Sequence, residues 1–249
     1  DTCFPVKVTL GHIQNLLDQS INHFFIPSVI TMLPHSKDFS RSFVCPYVQT
    51  IPYLVQAIFG ERVKIDSPKL YFDRGKDGFC ESLREFGKKV GKSESEIKTA
   101  IAEGFKYQNQ IQKKLSDVGR EILKEIKDFA FVVCSRPYNG YDSGLNLDLS
   151  GKIRNLGILP VPIDFLPLDY TQLKEDFYNM YWHYGQQILA AAECISRDER
   201  LFAIYLSNFS CGPDSFLARY FKEKLGEKPF LLIEIDEHSG DAGFVTRLE

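Results

Sequence analysis

The chain has 249 residues, 44% of them hydrophobic and 25% charged, and a net charge of −3. A chain of this length can hold one large α/β domain or two smaller ones, and two is the expectation because a single core stops growing near this size. The interleaving of Lys and Arg with Asp and Glu excludes the basic face of a nucleic-acid binder, and no run of about 18 apolar residues is present to span a membrane.

The chain starts at Asp1 rather than Met and has no charged segment leading into an apolar one, so it reads as a piece of a longer protein. Six cysteines without a secretion signal do not suggest a disulfide framework. A cytoplasmic location follows, and the thiols are structural, catalytic or metal-bound.

In chain order, residues 8–20 form a candidate helix, 24–30 a strand, 46–59 a helix and 69–72 a strand. A long helix is expected over 93–127. It is opened by the capping box Ser93 to Glu96 and carries Ile97, Ile101, Phe105, Ile111, Leu115, Val118, Ile122 and Ile126 at spacings of mostly three and four. Gly104 and Gly119 stand against its continuity. Beyond it lie four short apolar runs, 129–134, 158–163, 201–206 and 229–235, of the kind found in strands buried on both faces. Helical stretches at 144–155, 171–196 and 213–225 separate them, and the second of these sets Phe177, Met180, Tyr181, Tyr184, Ile188 and Ala191 on one face. Alternating strand and helix predict α/β architecture with a parallel sheet covered on both faces. The domain expectation is an N-terminal α/β lobe over 1–127, including the long bridging helix, and a C-terminal α/β lobe over 128–249.

Cys3, Cys45 and Cys211 share a local pattern, each standing one or two residues before a proline that opens a helix. A thiol at a helix N-terminus faces unpaired N–H groups and the positive end of the dipole, which favours the thiolate, the form that binds metal. Strand-to-helix junctions gather at the carboxyl edge of an open sheet, so the three can converge despite their separation. Cys80, Cys134 and Cys194 lack the proline and read as packing residues, Cys134 less clearly because it ends a strand. Zinc is a competing occupant, with His12 as a fourth ligand, but the close C-x2-C pairs usual in structural zinc sites are missing. Dispersed thiolates leave a fourth iron position open.

Residues 135–142 follow a strand and precede a helix, so Arg136 and Asn139 are candidate substrate-binding groups for a phosphate or carboxylate. The competing reading is an ordinary strand-to-helix turn. No G-x-G-x-x-G or P-loop pattern supports nucleotide binding, and no Ser–His–acid spacing supports a hydrolase. His12, one turn from Lys7, and His238, in an acidic turn, are the candidate proton carriers; a solvated surface position is the alternative for each.

Five segments in order carry a family resemblance: Cys3 to His12, Phe43 to Val48, Ser135 to Asn139, Ser210 to Asp214 and Ile235 to Ser239. Together they resemble the activase-related CoA-dehydratase domain family, relatives of the 2-hydroxyacyl-CoA dehydratase subunits and of double-cubane-cluster proteins. The resemblance implies two flavodoxin-like lobes with parallel sheets, joined by the long helix, and a cluster between them. It implies a [4Fe–4S] cluster on Cys3, Cys45 and Cys211, with a double-cubane form as the variant. It also implies an ATP-dependent activase as electron donor and a small-molecule substrate such as an acyl-CoA, in a chain that can pair as a homodimer. The alternatives are a non-catalytic electron relay or regulatory module of a fused activase, and a structural domain that binds zinc or no metal.

Overall fold

The computed structural model describes residues 2–37, 39 and 41–248, Asp241 by its backbone alone. They divide into two compact units: Val6–Gln112 with Tyr178–His183, and Asp1–Pro5 with Lys113–Phe177 and Tyr184–Glu249.

The first unit runs through α1 (Phe4–Asp18), β1 (His23–Phe25), β2 (Ser28–Thr31), α2 (Pro46–Phe59), β3 (Lys64–Asp66), β4 (Lys69–Tyr71) and α3 (Gly75–Lys89). The strand expected over 24–30 is interrupted, because Pro27 has no N–H to give to a ladder. β1 pairs with β3 and β2 with β4, both parallel. Ile26 N–H donates to the Asp66 carbonyl at 3.0 Å and Ser28 N–H to the Pro68 carbonyl at 2.9 Å, so the two short ladders follow one line. Ile13, Phe24, Val55, Phe59 and Val63 pack as the core beneath. α2 has the predicted limits: Pro46 occupies its first turn, and Gly60, at φ 57°, ends it.

α3 and β3 were not anticipated. Gly75, Gly78 and Gly87 lower the intrinsic helix preference of α3, and it is held instead by packing of Cys80 against Ile97 and Ile101. Those two isoleucines lie on α4 (Glu94–Glu125), which has the expected capping box: Ser93 N–H donates to Glu96 Oε2 at 2.9 Å, and Glu96 N–H donates to Ser93 Oγ at 3.3 Å. α4 is continuous through both glycines.

The second unit holds β5 (Ala130–Cys134), α5 (Pro137–Gly140), α6 (Leu149–Asn155), β6 (Leu159–Pro162), α7 (Thr171–Asp176), most of α8 (His183–Arg197), β7 (Leu201–Asn208), α9 (Gly212–Leu225), β8 (Phe230–Ile235) and α10 (Asp241–Leu248). Its four strands are all parallel in the order β6-β5-β7-β8. This is the start of the 2-1-3-4-5 order of doubly wound flavodoxin-like sheets, with its switch point between β5 and β7. Val132, Val161, Ala203, Leu206 and Ile233 from the strands, with Leu149, Ile188, Leu217 and Phe221 from the helices, are at most 2% exposed and form the core. The α/β class with parallel sheets is thus as the sequence pattern indicates.

Two predicted helices are shorter than expected. The stretch over 171–196 breaks between α7 and α8, so Phe177, Met180 and Tyr181 do not share a helix face with Ile188. The cause is a tertiary pairing: Phe43 N–H donates to the Tyr181 carbonyl at 2.7 Å, and His183 N–H donates to the Phe43 carbonyl at 2.9 Å. The stretch over 144–155 is helical only from Leu149, because Leu147 and Asp148 take left-handed φ values of 54° and 51°; Asp148 caps α6, accepting from the Gly151 N–H at 3.3 Å.

Gly119 is needed where it stands, since a Cβ there would collide with the Phe165 carbonyl, whereas at Gly104 a Cβ would meet nothing within 4 Å. Gly104→Ala is therefore expected to stabilise the protein by about 0.5–1 kcal/mol. Gly119→Ala should destabilise it by about 1–3 kcal/mol through the forced shift. Urea unfolding of the two variants checks the opposite signs.

Candidate functional site

At the switch point of the four-stranded sheet, the turn after β5 meets the turn after β7. Cys134 ends β5 as a fully buried core residue, and burial raises its thiol far above the usual range. Next, Ser135 Oγ donates to the Leu206 carbonyl at 2.8 Å, which pins the turn to the neighbouring strand. Arg136 follows and is buried. Its Nη1 donates to Asp214 Oδ2 at 2.5 Å and to Cys211 Sγ at 3.4 Å.

Asp214 lies in the first turn of α9, where the helix dipole favours a carboxylate. It also accepts from Ser207 Oγ at 2.5 Å and from the Tyr205 hydroxyl at 3.1 Å. Burial, and then the charge of Asp214, raises the Tyr205 phenol well above its ordinary range.

Cys211 is the N-cap of α9 and half-buried; its N–H donates to the Asn208 carbonyl at 3.1 Å. Ser210, just before it, sits in the left-handed region at φ 60°, an uncommon conformation for a residue with a side chain. The expectation that the helix N-terminus favours the thiolate fails at Cys211. Burial pushes the thiol up to about 11, outweighing the Arg136 guanidinium, whose charge Asp214 already balances.

A second tie runs parallel to the first. Asn139 Nδ2 donates to Asn208 Oδ1 at 2.7 Å, both residues being buried. Asn139 Oδ1 and Asn208 Nδ2 are buried without a hydrogen-bond partner among the described residues. Such groups cost about 1–3 kcal/mol each. On the β6 side of β5, Ser135, Arg136, Tyr141, Ser150 and Pro162 line a cleft of about 360 Å³ including its open mouth. That volume includes open solvent; the enclosed space is about 50 Å³, room for a few waters.

The other candidates are placed as follows. Cys3 immediately precedes α1 and is partly buried. Cys45, in the first unit, is the N-cap of α2, with Gln49 N–H donating to its carbonyl at 3.1 Å. Gln49 Nε2 donates to the Val44 carbonyl at 2.9 Å, and Ser28 Oγ to the Gln49 carbonyl at 2.6 Å, so the helix start is tied to β2. His12 and His238 are exposed; His238 N–H donates to Asp236 Oδ1 at 2.9 Å within its turn. Cys80 packs in the core of the first unit, and burial raises the thiol of the half-buried Cys194. Among the described residues no three His, Cys, Asp or Glu side chains gather as a metal-holding group, and no helix is long and apolar enough to cross a membrane.

One feature near Cys45 left no mark in the sequence pattern. Ser42 Oγ and His183 Nδ1 are hydrogen-bonded at 2.9 Å, and the His183 ring stacks on that of His35 at 4.1 Å. Only the two residues' convergence across 141 positions creates the pair, so spacing could not reveal it.

The arrangement defines an α/β protein with a cysteine thiol and a buried guanidinium at the carboxyl edge of a parallel sheet. Residues 1–166 match the family described as CoA enzyme activase uncharacterised domain, and the chain belongs to that family. The first three of the five resembling segments lie inside the match, those of Cys211 and His238 beyond it. No curated protein and no solved structure matched the chain.

Two measurements test this electrostatic picture. In metal-free protein, alkylation of Cys211 followed by mass spectrometry should rise with pH through a midpoint near 11; a midpoint at the ordinary value of about 8.5 contradicts it. Burial, and then His35, lowers His183 from 6.5 to about 3. Its neutral ring therefore contributes stability that is complete above pH 6.5 and is lost as pH falls toward 3, by at most about 1.4 kcal/mol per pH unit. Urea titrations across that window should show the slope in the wild type and a flatter one in His183→Asn.

Proposed function

We propose that this chain is an iron–sulfur redox component of a CoA-enzyme activase system. It would take a low-potential electron from an ATP-dependent activase and pass it to a small molecule. The observation that carries this reading is the placing of Cys211. A half-buried thiol caps α9 at the switch point of a parallel sheet, under a buried Arg136. Ligands of such sheets bind outside the carboxyl ends of the strands at that point.

The residue types suit an iron–sulfur cluster, while among the described residues no three such side chains stand gathered as a ligand group. Thiols are the ligands such clusters use. Cys211 and Cys45 both cap helices that open with proline, so backbone N–H groups face outward beside each sulfur. Cys3, Cys45 and Cys211 would hold the cluster, which supplies one-electron chemistry at an iron position without a protein ligand. The chain's own residues do the rest. Cys211 gives up its proton when a metal cation replaces it. Arg136, whose charge Asp214 balances, would donate a hydrogen bond to the Cys211 sulfur. The small molecule would be met outside the carboxyl ends of the strands, where such sheets bind their ligands. An acyl-CoA is one such substrate, and Asn139 borders the same turn.

Anaerobic reconstitution with ferrous iron and sulfide tests the reading. About four irons per chain are expected in the wild type and loss of most of them in a Cys3→Ser, Cys45→Ser, Cys211→Ser variant. A wild type that takes up no iron, or a triple variant that keeps it, overturns the proposal.

A further inference from the structure

Apart from the four-residue α5, α2 is the one described α-helix without a charged residue. Its buried side is Pro52, Val55 and Phe59. At 3.6 residues per turn, Tyr47, Thr50, Tyr53, Leu54, Ala57 and Ile58 therefore lie on the other side. Three of these are large and exposed, Tyr47 by 39%, Tyr53 by 52% and Ile58 by 56%.

The amides and the hydroxyl of Thr50 bond back onto nearby backbone. Gln49 Nε2 donates to the Val44 carbonyl at 2.9 Å, Thr50 Oγ1 to the Pro46 carbonyl at 2.9 Å and Gln56 Nε2 to the Gly60 carbonyl at 2.8 Å. What α2 turns outward is aromatic, aliphatic or small, the make-up of an interface core, where charge is depleted. A helix that lies on a membrane surface carries Lys or Arg on its polar face, and α2 carries neither. A surface that meets its own copy across a two-fold axis faces the residues it presents, so a charge near the axis would meet its like. In an antiparallel pairing of two α2 helices centred between Tyr53 and Leu54, no such meeting occurs. Thr50 of one copy faces Ala57 of the other, and Tyr53 faces Leu54, so small side chains let the backbones approach and large ones fill the flanks.

We propose that the outer face of α2 is a homodimer interface, in which two copies of this chain pack their α2 helices antiparallel about a two-fold axis. The pairing is independent of any metal or cofactor.

The test is sedimentation equilibrium of the full chain at concentrations up to about 100 µM, the range in which a small interface associates. The wild type is expected to show twice the chain's mass at the top of that range and to dissociate on dilution. Tyr53→Glu should raise the dissociation constant at least about a hundredfold, because each carboxylate meets its like across the axis. Tyr53→Lys should do the same for the same reason. An equimolar mixture of the two variants should recover the dimer, since position 53 of one copy lies beside position 53 of the other and the charges are then opposite. A wild type that stays monomeric throughout overturns the proposal. A dimer that survives Tyr53→Glu also overturns it, because the contact then lies elsewhere, and so does a mixture that remains monomeric. Far-UV circular dichroism checks that each variant is folded. Should Tyr53→Glu unfold the chain, Ile58→Glu, which puts an unpaired carboxylate into the same contact, is measured in its place; the same loss is expected, and an unchanged dimer overturns the proposal equally.

Discussion

The ion pair between Arg136 and Asp214 is the constraint on which the carboxyl edge of the four-stranded sheet depends. Both side chains are buried, where an unpaired charge is costly and a paired one must have its remaining hydrogen-bonding capacity met. Asp214 meets this condition, since Ser207 and Tyr205 donate to it as well as Arg136. The pair joins the turn after β5 to the first turn of α9, so it fixes the separation of the two turns between which a doubly wound sheet binds its ligands. Removing one partner alone would leave the other as an isolated buried ion, at a cost of about 3–5 kcal/mol. Conformational freedom at this edge is thereby restricted to what both turns can share.

The same pair explains why two cysteines at strand ends have different chemistry. Cys134 ends β5 inside the sheet, surrounded by apolar neighbours, and behaves as a small hydrophobe. Cys211 lies three residues past the end of β7, after a turn that includes the left-handed Ser210. That turn lifts its sulfur out of the core to the level of Arg136. The helix N-terminus alone does not make it a thiolate, because desolvation acts on the sulfur more strongly than the backbone N–H groups and a guanidinium whose charge is already balanced.

Much of the fold was legible in the sequence where structure is locally determined. The four strands of the second unit announced themselves as short apolar runs, although only β5 and β7 are buried on both faces and the edge strands β6 and β8 expose Leu159 and Leu232; α2 was marked by its opening proline and closing glycine, and α4 by a capping box and a three-to-four spacing. The misreadings came from interactions that span the chain. Tyr181 and Trp182 have a helix-compatible pattern, yet their backbone pairs with Phe43, and α3 forms against its glycines because Cys80 finds Ile97 and Ile101. In the site, the proline following each thiol identified the helix starts at 45 and 211. The partners that give Cys211 its environment, Arg136 and Asp214, are 78 residues apart, a distance at which no periodicity links them.

Asn139 and Asn208 show how the two ties at this edge differ. The charged tie is fully satisfied, whereas the amide tie leaves one acceptor and one donor buried and unmatched among the described residues. Two amides bonded once rather than twice are held at an offset, and the offset is imposed from outside. Asn208 is fixed as the last residue of β7, and Asn139 by its place in the short helix α5, where its own carbonyl accepts from Asn146 at 2.8 Å. The sheet and the turn therefore set the spacing, and the amides conform to it. Unmet polarity next to Arg136 is tolerated because the neighbouring ion pair, with its fuller set of hydrogen bonds, holds the turns where they are. Asn208, with its unmatched amide, and the left-handed Ser210 both stand within three residues of Cys211.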